Sequence, residues 1–312
     1  MQTIKLTYPH ELKKEELPET IAAIGFFDGL HKGHQQVIME AVNQAQEQQK
    51  ESAVISFHPH PSVVLNSPKD PVQYITPINE KEELIRTMGV DRLYIITFNK
   101  ELSLLSPQVF IEQFIHRLHI NHLVAGFDFT FGHKGAGNMD NIHSIGNKEL
   151  STTVIKPVKH ENEKVSSTRI RHQLKEGQVA EVGRLLGRPY ETKGIVIEGD
   201  KRGHTLGFPT ANLQIDEEKL LPKQGVYAVK VLYNGITYDG MANLGVKPTF
   251  VTDELKPQVE VYIFDFDKNI YGQELIVHWY QYIRDEKKFS GLDEIIAQLK
   301  KDEKTVRNYF VE

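Results

Sequence analysis

The amino-acid sequence predicts an α/β domain built on parallel strands, followed by a small antiparallel β-barrel closed by a C-terminal helix. Three observations carry this. Up to about residue 183, short apolar runs alternate with segments whose apolar residues recur at helical spacing. From about Thr192 apolar and polar residues instead alternate singly, the period of strands with one buried face. Asn234-Gly235 joins two of these later runs, and that pair suits a two-residue hairpin turn with positive φ at both positions.

Taken in order, TIAAIGFF (Thr20 to Phe27) is expected as a buried strand and HQQVIMEAVNQAQEQQ (His34 to Gln49) as a helix, with SAVISFH (Ser52 to His58) the next strand. A helix near Glu80 to Met88, a strand at Arg92 to Phe98, a helix over Gln108 to Leu118 and a strand at His122 to Phe127 continue the alternation. Strands separated by helices pair in parallel, and ligands of such sheets bind beyond the strands' carboxyl ends. GFFDGLHKGH and GFDFTFG both fall there. A helix-like segment opens at Ser167, and the domain boundary is expected between Gly183 and Tyr190, giving domains 1–183 and 184–312. In the second, TKGIVIEG, GVYAVKVLYNGITYDGMANLG, QVEVYIFDF and ELIVHWYQYI read as barrel strands. The closing helix runs from roughly Leu292 to Phe310, with Leu292, Ile295, Ile296 and Leu299 on one face.

Composition narrows the function classes. The chain has 312 residues, 39% of them apolar, which is material for two cores. Lys plus Arg number 37 against 42 Asp plus Glu, and neither half carries a basic excess, so nucleic acid is not an expected partner. No apolar run approaches the roughly 20 residues of a membrane span, and the first residues have no apolar stretch of the secretory kind, so a cytoplasmic protein without a membrane partner is expected. The chain has no cysteine, which excludes disulfides, thiolate nucleophiles and cysteine-ligated zinc.

Several motifs carry chemistry. GFFDGLHKGHQ runs from a strand through a glycine turn into a helix, which offers unpaired backbone N–H groups to an anion. His31 and His34 there fit a phosphate-binding pair, a metal site joined by His58 and His60, or a turn with surface histidines. The prolines of SFHPHP hold an extended loop. In GFDFTFG, Asp128 follows a strand among alternating phenylalanines. SSTRIR supplies hydroxyls able to cap a helix, with Arg169 and Arg171 behind them. In GIVIEGDKRGHTLGFPTANL, no Walker-type phosphate loop is present, but Thr210 and Asn212 share one side of an extended segment and offer hard oxygen ligands suited to Mg²⁺.

The ordered set GFFDGLHKGHQ, SFHPHP, GFDFTFG, VSSTRIR resembles the FAD synthetase module of the prokaryotic bifunctional riboflavin kinase/FMN adenylyltransferase family, of the HxGH nucleotidyltransferase superfamily. GHTLGFPTAN, LPKQGVYA, GMANLGVKPTF, VEVYIFDFDKNIYGQEL and IRDEKKFSGLDEIIAQLKKD resemble its riboflavin kinase module. The resemblance implies a Rossmann-like domain and a Greek-key barrel of about six strands. It implies two reactions, ATP with riboflavin giving FMN and ADP, then ATP with FMN giving FAD and diphosphate. Gly25, Phe27, Asp28, Gly29, His31, His34, Ser167, Thr168 and Arg169 would serve ATP in the first domain, the two histidines promoting adenylyl transfer, with His60 and Asp128 toward the flavin. Gly203, Gly207, Pro209, Thr210 and Asn212 would hold ATP in the second, the last two with Mg²⁺. Glu260 would be the general base, and Arg284, Glu286 and Phe289 would line the flavin site. Weak self-association is compatible with the family. Thr130, Lys164 and Tyr262 depart from its common pattern, which leaves two rivals: a chain with one live activity, or a non-catalytic flavin-binding regulator.

Overall fold

A computed structural model describes residues 1–66, 71–145, 150–199, 207–248 and 255–311. The chain divides into two compact units, Met1–Ser167 and Thr168–Glu312.

The first unit contains, in order, β1 (Gln2–Leu6), β2 (Thr20–Ile24), α1 (Lys32–Glu47), β3 (Glu51–His58), α2 (Pro61–Asn66), α3 (Ile78–Thr87), β4 (Arg92–Thr97), α4 (Lys100–Ser103), α5 (Pro107–Ile111), β5 (Ile120–Gly126), β6 (Thr130–Phe131), β7 (Gly137–Asn138), α6 (Ile142–Ile145), β8 (Ser151–Ile155), β9 (Lys159–His160) and β10 (Glu163–Lys164). Six strands form one sheet in the order β1-β4-β3-β2-β5-β8, every pair parallel. The β2 run is apolar throughout because both faces are covered. Ile21 and Ala23 pack with Val37, Ile38 and Ala41 of α1, whereas Ala22 and Ile24 pack with Phe110 and Phe114 on the other side.

Three details differ from the sequence expectation. The strand expected to reach Phe27 stops at Ile24, because Phe27 takes a left-handed φ of 55° that no strand accommodates. The helix expected from His34 begins at Lys32, because the His31 side chain caps it. The expected helix over Gln108 to Leu118 is α5, capped by Ser106, running into a π turn at Glu112–His116. The edge strands β1 and β8 carried no apolar signal, being mostly half-exposed.

The second unit has α7, which runs Ser167–Lys175 and so begins at the last residue of the first unit, then α8 (Val179–Leu186), β11 (Tyr190–Ile197), β12 (Ala211–Ile215), β13 (Gly225–Tyr233), β14 (Ile236–Pro248), β15 (Leu255–Ile263), β16 (Glu274–Arg284) and α9 (Leu292–Val311). The strands close into an antiparallel barrel in the order β11-β12-β15-β14-β13-β16. Within it, β16 returns beside β13 of the β13-β14-β15 meander, which is Greek-key order. Asn234 and Gly235 take φ of 50° and 78° in the hairpin between β13 and β14. Leu275, Val277 and Trp279 fill the interior, and the buried Trp279 indole donates to Thr192 Oγ1 at 2.9 Å. The residue 183 boundary falls inside α8, whose buried Val179, Val182, Leu185 and Leu186 go with a helix packed on β11 and β16.

A buried ion pair fastens α9. Arg284 Nε lies 3.1 and 2.9 Å from the two Asp302 oxygens, and Nη2 lies 2.7 Å from Oδ2. The Asp302 side chain is 3% exposed, so removing it strands a charge. Asp302→Ala is expected to destabilise the barrel by about 3 kcal/mol, read from its chemical unfolding midpoint; a loss under about 1 kcal/mol would mean that Arg284 simply re-solvates.

Candidate functional site

The first site is built where β2 meets α1. Gly25 is required there: a Cβ on it would stand 2.8 Å from the Phe27 ring. Gly29 has φ of 87°, with Ile75 closing the space a side chain would need. The Phe27 ring is 2% exposed and packs edge-on to His34 at 5.3 Å, so it belongs to the α1 core and leaves the turn only its backbone. Asp28 is buried as a strut. Its Oδ1 accepts the Thr76 N–H at 3.1 Å, and its carbonyl accepts the Ser167 hydroxyl at 2.9 Å.

His31 caps α1, its Nδ1 accepting the His34 backbone N–H at 3.2 Å, and the two imidazoles stack 3.6 Å apart. Burial pushes His31 down to about 4 and His34 well below its ordinary value, with the neighbouring cations adding to the shift. Both rings are therefore neutral at pH 7. Because Nδ1 of His31 is an acceptor, its proton sits on Nε2, which is left as a donor. Nδ1 of His34 is buried with no hydrogen-bond partner among the described residues.

Asp128 and Lys164 stand near this pair, and His60 borders the turn through Phe26. His60 packs edge-on against Phe26 at 4.5 Å, and its Nδ1 accepts the Ser62 N–H at 3.1 Å. Asp128 and Lys164 form an exposed ion pair at 2.6 Å, with the Lys164 ammonium 4.5 Å from the Phe127 ring; both charges act on His31. Thr130 is exposed and lies beside Gly135. Sequence reasoning missed Lys81. The residue is 2% exposed, and its ammonium donates to the Phe26 carbonyl at 2.8 Å, behind the turn. The signal was available: Ile78, Lys81 and Ile85 share one helical face, and a lysine on an apolar stripe calls for a reason. Thr168 and Arg169 belong to the second unit, where Arg169 pairs with Glu181 of α8 at 2.9 Å.

The second site lies on the outer face of the barrel. On β15, Val259 and Val261 point inward, so Gln258, Glu260 and Tyr262 face out. Glu260 stands in register with Asn212 of β12 on one side and Asn243 of β14 on the other. Gln258 donates an amide hydrogen bond to Asn212 Oδ1. Asn243 and Gln258 are therefore members of this polar row that sequence reasoning did not name. Tyr262 packs edge-on to Phe208 at 5.3 Å, beside the cluster that α9 covers.

Thr210 is half-buried just before β12, Pro209 and Gly207 are exposed, and Gly203 lies outside the described residues. Glu286 Oε1 is 3.3 Å from the Asn243 amide, which brings it to the same row. Phe289 is half-buried. Arg284 is instead fully engaged with Asp302 and with the Asp285 carbonyl at 2.9 Å.

These two sites define a class: a Rossmann-like α/β domain with an HxGH turn at a helix start, carried in one chain with a Greek-key barrel bearing a carboxylate flanked by side-chain amides. The family model described as FAD synthetase matches residues 13–169, and that described as riboflavin kinase matches residues 186–310. The chain is 44% identical to the bifunctional riboflavin kinase/FMN adenylyltransferase of Listeria monocytogenes over 310 residues, 99% of this chain and 98% of the relative. It is likewise 44% identical to that of Bacillus subtilis, over 99% and 98%, and 31% identical to that of Escherichia coli K12, over 96% of each. A crystal structure titled macrolide-efflux protein from Streptococcus pneumoniae superposes with TM-score 0.89 at 34% identity, over 99% of both chains. Among the described residues of this chain, no helix is long and apolar enough to cross a membrane. The chain belongs to the bifunctional riboflavin kinase/FMN adenylyltransferase family, and it is an enzyme with an FAD synthetase domain and a riboflavin kinase domain.

The buried neutral histidines have a consequence for stability. His31 has a folded value of about 4 against 6.5 in the unfolded chain, so between those values the unfolded state binds more protons. Stability is complete above about pH 6.5 and falls as pH drops toward 4, by up to about 3 kcal/mol from this residue. Thermal unfolding between pH 7 and 4.5 is expected to show that loss, and His31→Gln to flatten it; equal slopes for both proteins would contradict the assignment.

Proposed function

We propose that the chain converts riboflavin to FMN in its barrel and FMN to FAD in its α/β unit, each step consuming ATP. The single observation that supports this best is that one unit carries His31 and His34 at the first turn of α1, while the other carries Glu260 in register with Asn212 and Asn243. For function we divide the chain at residue 183/184: the FAD synthetase match ends at 169, the riboflavin kinase match begins at 186, and α7 and α8 span the interval.

In the α/β unit, the FMN phosphate attacks the α-phosphorus of ATP and diphosphate leaves. The Nε2–H of neutral His31, the first amides of α1 and the exposed cation Lys164 face the charge that develops on the phosphates. Ser167 fixes the Asp28 carbonyl, and with it the turn. His60 and Asp128, flanking that turn, are our flavin-side residues, with Gly25, Phe27, Asp28 and Gly29 contributing backbone to the ATP site. Thr168 and Arg169 are retained as phosphate-side candidates on the family resemblance alone.

In the barrel, Glu260 takes the proton of the ribityl 5′-hydroxyl as the γ-phosphate transfers. The hard oxygen donors Thr210 and Asn212 fit Mg²⁺, and Asn212 is preset by Gln258. When bound, the ion neutralises phosphate charge. Glu286 and Phe289 are assigned to the flavin edge, and the Gly203 to Pro209 segment to ATP. Arg284 serves this site by anchoring α9. We infer a cytoplasmic protein acting on riboflavin, FMN and ATP, with neither nucleic acid nor membrane as partner and at most weak self-association.

The division of labour is testable by chromatography of flavins. Glu260→Gln should abolish FMN formation, by about a hundredfold or more, and spare FMN adenylylation. His31→Asn keeps an N-cap acceptor but removes the imidazole, so it should cut adenylylation about a hundredfold in a folded protein while leaving FMN formation intact. Loss of both steps in either folded variant, or no FMN and FAD from the wild-type chain, would refute the proposal.

A further inference from the structure

Lys81 has no role in the sequence motifs, yet it is the most buried cation among the described residues of the α/β unit, 2% exposed. The ammonium donates to the Phe26 carbonyl at 2.8 Å, lies 3.4 Å from Ser56 Oγ of β3, and sits 4.5 Å from the Phe26 ring. The peptide it grips is the one that leads into Phe27, the left-handed residue that opens the phosphate turn.

Among the described residues, one carboxylate and one imidazole interact with its charge. Asp28 on the turn partly offsets the charge, and on α1 the ammonium disfavours protonation of His34. Ser56 on β3 is neutral. A cation buried with so little compensation costs folding free energy, and an incoming polyanion at the turn would recover it.

We propose that Lys81 is a positioning residue of the adenylyl-transfer site: it holds the Phe26 carbonyl so that the turn presents its amides, and its positive charge backs the triphosphate of ATP from the protein side. Its charge also adds to the burial that disfavours protonation of His34. The proposal rests on the adenylyltransferase reading of this unit.

Burial holds Lys81 down to about 8, so the free protein loses this charge as pH rises through that value. In FMN adenylylation, kcat/KM for ATP is therefore expected to fall about tenfold between pH 7 and 9, while KM for FMN changes little. Lys81→Arg, which stays charged, should hold kcat/KM level across that range; Lys81→Met should lower it at least about tenfold at pH 7 and leave riboflavin phosphorylation by the same chain unchanged. A flat wild-type profile from pH 7 to 9, or a folded Lys81→Met protein with wild-type kcat/KM for ATP, would overturn the proposal. The wild-type profile decides it even where the Met variant fails to fold. A wild-type chain that makes no FAD at any pH would instead remove the underlying reading.

Discussion

The hydrogen bond from the His34 backbone to His31 Nδ1 sets where α1 begins, and the N-terminal site depends on it. With Nδ1 accepting, the His31 ring is oriented, its proton is placed on Nε2, and His34 is brought to stack beneath it. The same contact leaves the other early amides of the helix free to meet an anion. Glycine at positions 25 and 29 and a left-handed Phe27 let the chain reach this arrangement within one turn. Thr76, Ser167 and Lys81 hold it from three other parts of the unit. The unit thus orients two neutral imidazoles at the helix start, with the buried Lys81 ammonium one layer behind the turn.

The barrel solves a related problem with strand register. Cross-strand pairing puts Asn212, Glu260 and Asn243 in one row on the outer face, and the inward valines on either side of Glu260 make the strand rigid there. A one-residue slip of β15 would turn Glu260 into the core and Val259 outward, so the fold and the position of this carboxylate are the same constraint. The Arg284–Asp302 pair fixes α9 over the neighbouring apolar cluster of Phe208, Met241 and Phe264.

Much of this was legible in the sequence because it is periodic. Two-sided burial of β2 and β3 produced continuous apolar runs, and the barrel's single buried face produced alternation. Asn234-Gly235 declared its hairpin locally. The polar edge strands β1 and β8 were not legible, since half-exposed strands need no apolar pattern. Lys81 escaped because its role depends on the distant Phe26 carbonyl, and Gln258 and Asn243 escaped because they join the site only through register. Arg284 was expected at the flavin and is held by Asp302, eighteen residues on, a partner that no local motif announces. The Phe27 ring likewise packs in the α1 core, which leaves the turn only the backbone of that residue.

The central claim is that His31 is a neutral Nε2–H donor aimed at phosphate. Ring-nitrogen NMR of the full chain at pH 7 tests it most directly. Nδ1 of His31 should resonate as an unprotonated acceptor and Nε2 as a protonated nitrogen, with the Nε2 signal moving when ATP is added. An imidazolium pattern, or a ring indifferent to ATP, would contradict the account.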